Sequence, residues 1–380
     1  MGSNRSPKLC LWTVIPSHYQ LEFIRALRKR GVDLRVVFWE AVHATRQSMG
    51  WTEGELTLQD SFYTGSLDTT LPSDWTERIH IVADYKRFFD CGLRRVLLAC
   101  HVPWVHWSEP SRPGWRWWVS WPLKRLYAQD INRSALGALG IGQMAIEDFL
   151  SWGIRREKLA FLPYSTPDLP GKAAPDPACA SWKGAGHHSF IYVGSLYRRK
   201  GVDLLLKAFS GLRNSKGWRL ILVGDDRTGG AYGREAEGLG ILDRVLFRGV
   251  VRFAEMPSVL AAGDVFVLPS RQDGWGVALN EAATLGLALV GSDRAGASHH
   301  MIRPGVNGFV VQGGSMSSLA AAMQVYVDRP ELVAVHGARS REIVREFSAG
   351  ANAERLLQIL DSWLSRPCQG HPPSGTGAVL

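Results

Sequence analysis

Two carboxylates eight positions apart flank a glycine-containing segment in the second half of the chain. Asp273 is followed by Gly274 and Gly276, and Glu281 lies one turn into the next predicted helix. The preceding apolar run, residues 264–268, predicts a buried strand. Glycine lets the backbone approach a ligand closely, and the start of a helix exposes N–H groups that attract phosphate. These residues indicate a diphosphate site whose flanking carboxylates hold hydroxyl groups, which is the form of a nucleotide-sugar.

The composition is that of a folded protein with acidic partners. The 380 residues, 46% hydrophobic and 21% charged, are enough for two domains. The net charge of +9 favours phosphates, nucleic acid or an anionic membrane as partners. Five cysteines with no C-x-x-C pair indicate neither a disulfide framework nor a zinc site. We see no signal peptide or spanning helix in the sequence, so we predict a cytoplasmic protein.

Strands and helices alternate along both halves, which predicts an α/β protein with parallel sheets. Residues 8–15 and 32–39 predict strands around an amphipathic helix, and residues 41–77 predict a long loop region. In the second half the sequence predicts strands at 190–193, 219–223, 245–248, 264–268, 287–291 and 308–311, and helices at 202–212, 232–240, 255–262, 277–285, 316–327, 331–346 and 350–365. Because no G-x-G-x-x-G follows the first strand of either half and no G-x-x-x-x-G-K-[ST] occurs, nicotinamide-dependent dehydrogenases and P-loop NTPases are disfavoured.

Four ordered segments of the second half resemble the retaining nucleotide-sugar glycosyltransferases of family 4, within the group 1 glycosyltransferases. They are residues 193–203, residues 222–225, the Asp273-x7-Glu281 block, and residues 296–302 followed by 305–309. Each segment is weak alone, but the ordered set is specific. The resemblance implies the GT-B fold, in which two Rossmann-like domains with parallel sheets face each other across a cleft.

The chain is divided accordingly into five predicted segments. We expect an acceptor-side domain at 1–168, a proline- and glycine-rich linker at 169–188, a nucleotide-sugar-binding domain at 189–346, a helix at 347–366 and a disordered tail at 367–380.

The resemblance also implies the roles of individual residues. Asp273 would contact the transferred sugar, Glu281 the nucleotide ribose, and Lys200 the leaving diphosphate. His106 would line the cleft near the sugar, with His101 as its rival. The predicted catalytic residues are Asp273, Lys200 and His106, and the predicted donor-binding residues are Gly194, Ser195, Arg199, Gly224, Val251, Gly274, Trp275, Gly276, Val277 and Glu281.

The chain departs from the family pattern at two positions. Ser195 stands where the family often has arginine, and His300 stands where an acidic residue is common. Arg198 and Arg199 are the candidates to supply the lost positive charge. The loop at 16–20, which lacks the double glycine of many members, is expected to serve acceptor binding.

The implied activity is transfer of a sugar from a UDP- or GDP-sugar to a hydroxyl acceptor with retention, in surface polysaccharide or glycolipid assembly. The resemblance implies neither a metal nor another cofactor. Two alternatives stay open at this point. One is a GT-B nucleotide-sugar epimerase or phosphorylase, and the other is a non-catalytic protein that binds nucleotide or membrane.

Tryptophan and basic residues are concentrated between Trp104 and Tyr127. The segment holds Trp104, Trp107, Trp115, Trp117, Trp118 and Trp121, interleaved with Arg112, Arg116, Lys124 and Arg125. Such residues favour an anionic membrane interface, next to the site of a lipid-linked or saccharide acceptor. The alternative is a tryptophan-rich domain core. Nucleic-acid binding is disfavoured because no RNA- or DNA-binding module accompanies the segment. We therefore expect membrane association on the cytoplasmic face.

Overall fold

The N-terminal half forms a seven-stranded parallel sheet in a computed structural model, which describes residues 7–42, 47, 57, 59–83, 87, 91–112, 114–166, 169–170 and 172–366. Its strands are β1 (Leu9–Thr13), β2 (Leu34–Phe38), β3 (Asp60–Phe62), β4 (Ile79–Val82), β5 (Trp104–Ser108), β6 (Gly137–Gly140) and β7 (Leu159–Phe161). Its helices are α1 (His18–Lys29), α2 (Leu67–Thr70), α3 (Leu93–Ala99), α4 (Trp115–Ser134) and α5 (Gln143–Trp152). The strand order β3-β2-β1-β4-β5-β6-β7 is that of a Rossmann-like sheet.

The C-terminal half forms a second parallel sheet, of six strands in the order β10-β9-β8-β11-β12-β13. The strands are β8 (His188–Val193), β9 (Trp218–Val223), β10 (Val245–Gly249), β11 (Val265–Leu268), β12 (Ala288–Ser292) and β13 (Gly308–Val311). The helices are α6 (Pro177–Lys183), α7 (Val202–Ser210), α8 (Ala231–Gly238), α9 (Met256–Ala261), α10 (Ala278–Thr284), α11 (Ser298–Met301), α12 (Met316–Asp328), α13 (Glu331–Val344) and α14 (Ala349–Leu364). The elements predicted in this half all occur, with ends within two residues of the predicted ones.

The order of the second sheet reverses between β8 and β11, which pair directly with each other. Successive connections leave the sheet in opposite directions at such a point, so a crevice opens beyond the carboxyl ends of the two strands. Gly194 follows β8, and the segment from Asp273 to Val277 follows β11. The fold therefore brings together two motifs that are 79 residues apart in the chain, since 273 minus 194 is 79.

The predicted linker is not irregular throughout, because it contains α6. The side chain of Asp176 caps this helix by accepting a hydrogen bond from the N–H of Cys179 at 2.8 Å. Asp176 also pairs with Arg248 at 3.3 Å, and Lys183 pairs with Asp264 at 3.0 Å. Pro177 occupies the first helical turn, where proline is tolerated. These contacts fasten α6 to the C-terminal half.

The last helix, α14, returns to the N-terminal half and packs against α1. The side-chain amide of Asn352 donates to the carbonyl of Pro163 at 3.1 Å. The chain crosses between the halves twice at adjacent points, where the N–H of Thr166 donates to the carbonyl of Phe347 at 2.8 Å. The predicted tail at 367–380 and much of the predicted loop region at 41–77 lie outside the described residues.

The tryptophan-rich segment divides between core and surface. Trp104 and Trp107 are buried in the N-terminal half, as the core alternative predicted. Trp118 is 74% exposed on α4, together with Val119 and Leu126. The side chains of Trp115 and Trp117 are outside the described part of the structure. Within the described residues, no helix has the length and apolar character needed to cross a membrane.

Candidate active site

A cavity of about 360 Å³ lies between the two halves, at the carboxyl ends of β8, β9 and β11. Nine of the predicted site residues line it: Gly194, Ser195, Lys200, Gly224, Val251, Asp273, Gly276, Val277 and Glu281. Side chains from the N-terminal half close the other wall. The volume falls within the range of typical ligand sites.

The floor of the cavity is built from glycines at two neighbouring strand ends. Gly194 and Gly224 have φ angles of +151° and +140°, outside the range that other residues readily adopt. A Cβ atom on Gly224 would lie 2.1 Å from the carbonyl oxygen of Gly194. Glycine is therefore required for the backbones to pack this closely and to leave room for a ligand.

The loop after β11 presents a row of unpaired backbone donors. The N–H of Asp273 donates to the carbonyl of Arg294 at 2.8 Å, which fixes the start of the loop. The next five N–H groups, of residues 274–278, have no acceptor among the described residues. Gly276, with a φ of +95°, turns the backbone between them. Gly276, Val277 and Ala278 line the cavity, and consecutive N–H groups without partners favour the binding of an anion.

Lys200 and Asp273 form an ion pair at the edge of this loop. Their side chains are 18% and 13% exposed, so the pair is largely screened from solvent. Lys200 ends the short helix at Arg198–Lys200 that follows β8. An ammonium group has three donors, and the ion pair occupies one of them. The others remain for anionic groups that enter the cavity.

Glu281 lies on α10 and lines the cavity. Burial raises the pKa of its carboxyl group to about 7. The residue keeps some exposed surface, and its carboxylate makes no hydrogen bond or ion pair with the other described residues, although poorly solvated carboxylates are normally paired. A desolvated carboxylate without a partner is suited to accept hydrogen bonds from the hydroxyl groups of a ligand.

Two predicted site residues instead support the loop from behind. The ring of Trp275 is fully buried, and its N–H donates to the side-chain oxygen of Asn280 at 3.0 Å. The Asn280 amide in turn donates to Thr166 at 3.1 Å. Arg199 donates to the carbonyl of Gln272 at 2.6 Å and does not line the cavity. Their side chains position the loop and do not face the ligand space.

The structure does not bring His106 to the cavity. His106 is fully buried in the N-terminal half, where its ring nitrogens contact Ser108 at 2.9 Å and Tyr127 at 3.1 Å. Burial lowers its pKa to about 3. Its side chain points into the domain, whereas the cleft lies beyond the end of β5. His101 is also distant from the cavity, since it lies in an exposed turn after α3.

His300, the second departure from the family pattern, joins the two halves. Its Nε2 accepts a hydrogen bond from the N–H of Gln143 at 2.9 Å, and its ring stacks on Phe161 at 4.5 Å. Burial lowers its pKa to about 4, so the ring is neutral near pH 7 and can accept this bond. His300 therefore holds the halves together.

Several residues on the N-terminal wall were not predicted as donor-site residues. His18 stacks on Phe253 across the cleft, with ring centroids 3.7 Å apart. Tyr19, Glu109 and Tyr164 also line the cavity. His18 and Tyr19 fall in the segment at 16–20 that was assigned to the acceptor, and they begin α1, whereas we expected a loop there. Glu109 directly follows β5, a location that itself indicates a ligand site in a parallel sheet.

No group of three histidine, cysteine or acidic side chains suited to a metal ion occurs among the described residues. The expected independence of metals and other cofactors remains a prediction.

Comparison with known proteins identifies the family. Residues 187–328 match the model of the family described as glycosyl transferases group 1. The chain is 30% identical over 291 residues to the GDP-mannose-dependent alpha-(1-6)-phosphatidylinositol monomannoside mannosyltransferase of Mycolicibacterium smegmatis, covering 71% of this chain and 70% of that protein. The protein of the same description from Mycobacterium tuberculosis is 29% identical over 293 residues, with the same coverage.

The solved structures agree with the fold. The crystal structure of Anabaena HepE in complex with UDP matches with a TM-score of 0.74 at 18% identity, covering 93% of this chain and all of that one. This likeness confirms the predicted GT-B arrangement. Together the similarities favour a glycosyltransferase over an epimerase, a phosphorylase or a non-catalytic binding protein. The chain therefore belongs to the group 1 glycosyltransferases, and it is a sugar-transferring enzyme.

Proposed function

We propose that the enzyme binds a nucleotide-sugar in the interdomain cavity, with its diphosphate on the N–H groups of residues 274–278 and on Lys200. The observation that carries this proposal is the row of five unpaired backbone donors beside a largely buried lysine. Asp273 then contacts the transferred sugar, and Glu281 accepts hydrogen bonds from the ribose.

The transfer step requires stabilisation of the leaving nucleoside diphosphate. Negative charge grows on the phosphate oxygens as the bond to the sugar breaks, and fixed N–H groups and the ammonium of Lys200 stabilise it without reorganising. The acceptor hydroxyl attacks the anomeric carbon of the sugar as the bond from that carbon to the phosphate breaks, and the anomeric configuration is retained. The hydroxyl proton passes to the departing phosphate. The closed cleft excludes water, which would otherwise hydrolyse the donor.

GDP-mannose is the first candidate donor. Both mycobacterial relatives are named as GDP-mannose-dependent, and they share 29–30% identity over about seven tenths of the chain. The UDP-bound HepE structure shares only 18% identity, which supports the fold and leaves the base open. A thermal-shift panel of GDP, GDP-mannose, UDP and UDP-glucose tests the assignment, since binding to the native state raises the melting temperature. We expect GDP-mannose to raise it most, and failure of all four would contradict the proposal.

We further propose that the acceptor is lipid-linked and reaches the site from α4. A second cavity of about 380 Å³ is lined by Pro110, Ser111, Trp118 and Arg294, among others. The lining of this second cavity includes Pro110 and Ser111, which directly follow Glu109 of the donor cavity, and the exposed Trp118. Trp118, Val119 and Leu126 form an exposed apolar patch, defined here as the α4 patch. An enzyme seated on an anionic membrane by this patch would draw its acceptor directly from the bilayer.

Replacing both Trp118 and Leu126 with alanine is expected to weaken binding to vesicles that contain anionic lipid by about tenfold or more, because two side chains lose apolar area buried in the interface. Co-sedimentation with such vesicles measures the effect. Val335→Ala is the matched control, since Val335 is 55% exposed on α13 in the other half. Equal binding by the double variant and the control would show that the α4 patch does not seat the enzyme.

A further inference from the structure

Glu109 lies at the junction of the two cavities. It directly follows β5 and lines the donor cavity, while the next two residues, Pro110 and Ser111, line the cavity that leads to α4. Neither the family match nor the sequence analysis gives Glu109 a role.

The carboxyl group of Glu109 is held against the loop that follows β11. A Cβ atom on Gly274 would lie 1.9 Å from its Oε2, so only glycine at position 274 leaves room for this approach. Gly274 directly follows Asp273, the residue assigned to the transferred sugar. Glu109 and Asp273 therefore belong to opposite halves of the protein and converge on one region of the cavity.

Tyr164 supports Glu109 from the N-terminal side. Burial, the charge of Glu109 and hydrogen bonding to Glu109 and Tyr19 raise the pKa of the Tyr164 hydroxyl well above its usual value. Tyr164 therefore stays protonated and offers a hydroxyl donor on this side of the cavity. The rings of Tyr19 and Tyr164 pack with centroids 4.6 Å apart, which fixes the position of the Tyr164 ring.

We propose that Glu109 binds the transferred sugar from the N-terminal side of the cleft, hydrogen-bonding to a sugar hydroxyl as a neutral carboxylic acid. This inference rests on the proposed function, because it assigns the sugar to the space between Glu109 and Asp273. Glu109 then makes donor recognition depend on both halves of the protein, since the sugar is gripped only when the cleft is closed.

The charges around Glu109 favour the neutral form. Glu109 keeps exposed surface, but the protein atoms that surround it in the cleft reduce its solvation; this is the first cause that raises its pKa, to about 7, and the negative charge of Asp273 is the second. The opposing groups are the cations Lys200, Arg112 and Arg199. A bound diphosphate would add negative charge to the cavity and would draw Lys200 toward itself. Both changes strengthen the preference of Glu109 for its proton.

A neutral carboxyl group at this position has one donor and one acceptor for the sugar. It can accept from a sugar hydroxyl and donate to another oxygen, whereas a carboxylate can only accept. A carboxylate would also repel Asp273 and the diphosphate. The protonated acid can therefore both donate and accept a hydrogen bond, and it adds no negative charge beside Asp273 and the diphosphate.

The test compares Glu109→Gln with Glu109→Ala, using GDP and GDP-mannose as probes. The measured quantity is the ratio of the two dissociation constants, obtained by calorimetry at about pH 6 and about pH 9, on either side of the pKa range of interest. Glu281 also titrates near pH 7, but it lies at the ribose end and affects both probes alike. Taking the ratio removes its contribution.

Between the two pH values we expect the preference of the native enzyme for GDP-mannose over GDP to fall about tenfold further than that of Glu109→Gln, which mimics the neutral acid. The terminal phosphate of GDP itself titrates at about pH 6, and this contribution is the same in the native enzyme and in Glu109→Gln. Glu109→Ala should lack the preference at both pH values, while its affinity for GDP stays within about twofold of native.

Two outcomes would overturn the inference. One is loss of the preference in Glu109→Gln at both pH values, which would mean that the carboxylate is the working form. The other is equal weakening of GDP and GDP-mannose by Glu109→Ala, which would indicate a purely structural role. If instead the native enzyme binds neither probe while UDP and UDP-glucose bind, the donor assignment fails, and the same ratio is measured with that pair. Native enzyme that binds none of the four contradicts the proposed function itself.

Discussion

Lys200→Ala is expected to lower the rate of sugar transfer by about 10²–10³-fold, the usual effect of removing one charge-stabilising donor from an active site. The ammonium is largely buried and pairs only with Asp273 in the described structure. Its other donors face the cavity in which the leaving diphosphate is expected. Steady-state kinetics with saturating GDP-mannose and a mannosyl acceptor would measure the loss.

The loss should fall mainly on kcat, because the diphosphate carries more negative charge in the transition state than in the bound donor. Lys200→Arg should keep part of the activity, since it preserves the charge and changes its geometry. Lys207→Ala is the matched control, because this lysine lies on the solvent side of α7, with its side chain 52% exposed. An unchanged kcat in Lys200→Ala would remove this residue from the proposed mechanism.

Removing Lys200 also leaves Asp273 without its cation in a poorly solvated position, which costs stability. A melting curve of each variant separates this cost from the kinetic effect. We expect Lys200→Ala to remain folded, because Asp273 retains 13% exposure and the backbone hydrogen bond that fixes its loop.

The C-terminal half could be predicted closely from the sequence because its motifs are local. Lys200 lies six residues after Gly194, and Glu281 eight residues after Asp273. Each pair therefore spans a single strand–loop–helix unit. The geometry of such a unit follows from hydrophobic periodicity and from the glycines at its turns. The sheet order then places the two units side by side at the switch point.

The N-terminal wall could not be predicted in the same way. Side chains alternate between the faces of a strand, so a residue two or three positions away can differ entirely in environment. His106 lies within β5 and is buried, whereas Glu109 lies just beyond its end and reaches the cleft. The residue type favoured His106 over Glu109 as the side chain that lines the cleft. Only the position where the strand ends distinguishes the two.

The tryptophan-rich segment illustrates a second limit of local patterns. Trp104 and Trp107 are buried through their strand, while Trp118 is exposed through its helix. The residue types are the same in both elements. Which face of α4 is covered depends on its contacts with α5 and with the sheet. The residue types within the tryptophan-rich segment do not specify these contacts. Composition therefore indicated that the segment supplies tryptophan to a core or to a membrane surface, but it did not indicate which tryptophans are buried and which are exposed.

The two acids of the cavity with raised pKa values indicate a conflict between stability and function. Glu109 and Glu281 are both shifted from about 4.5 to about 7, with poor solvation as the first cause. The ionised form of each carboxyl group lacks part of the hydration that it would have in water. Groups kept in such positions are candidates for ligand binding, because a ligand restores the lost interactions.

Glu281→Gln is accordingly expected to change stability and donor binding in opposite directions. The raised pKa means that the folded state holds the proton more tightly than the unfolded state, so ionisation of Glu281 progressively destabilises the fold as pH rises from about 4.5 to about 7. Glutamine removes this penalty. We expect the variant to be more stable than the native enzyme by roughly 1–3 kcal/mol at about pH 8, and equally stable near pH 4, where Glu281 is protonated.

The same variant should bind GDP about 10–100-fold more weakly at about pH 8, since hydrogen bonds to a charged acceptor contribute roughly 1.5–3 kcal/mol. Denaturant unfolding and calorimetry with GDP provide the two measurements. Glu342→Gln is the control, because Glu342 is exposed on α13 and should alter neither quantity. A gain in stability without a loss of GDP affinity would mean that Glu281 is desolvated for a reason other than the ribose. Loss of both would mean that Glu281 supports the fold, although its carboxylate has no partner in the part of the chain that the structure describes.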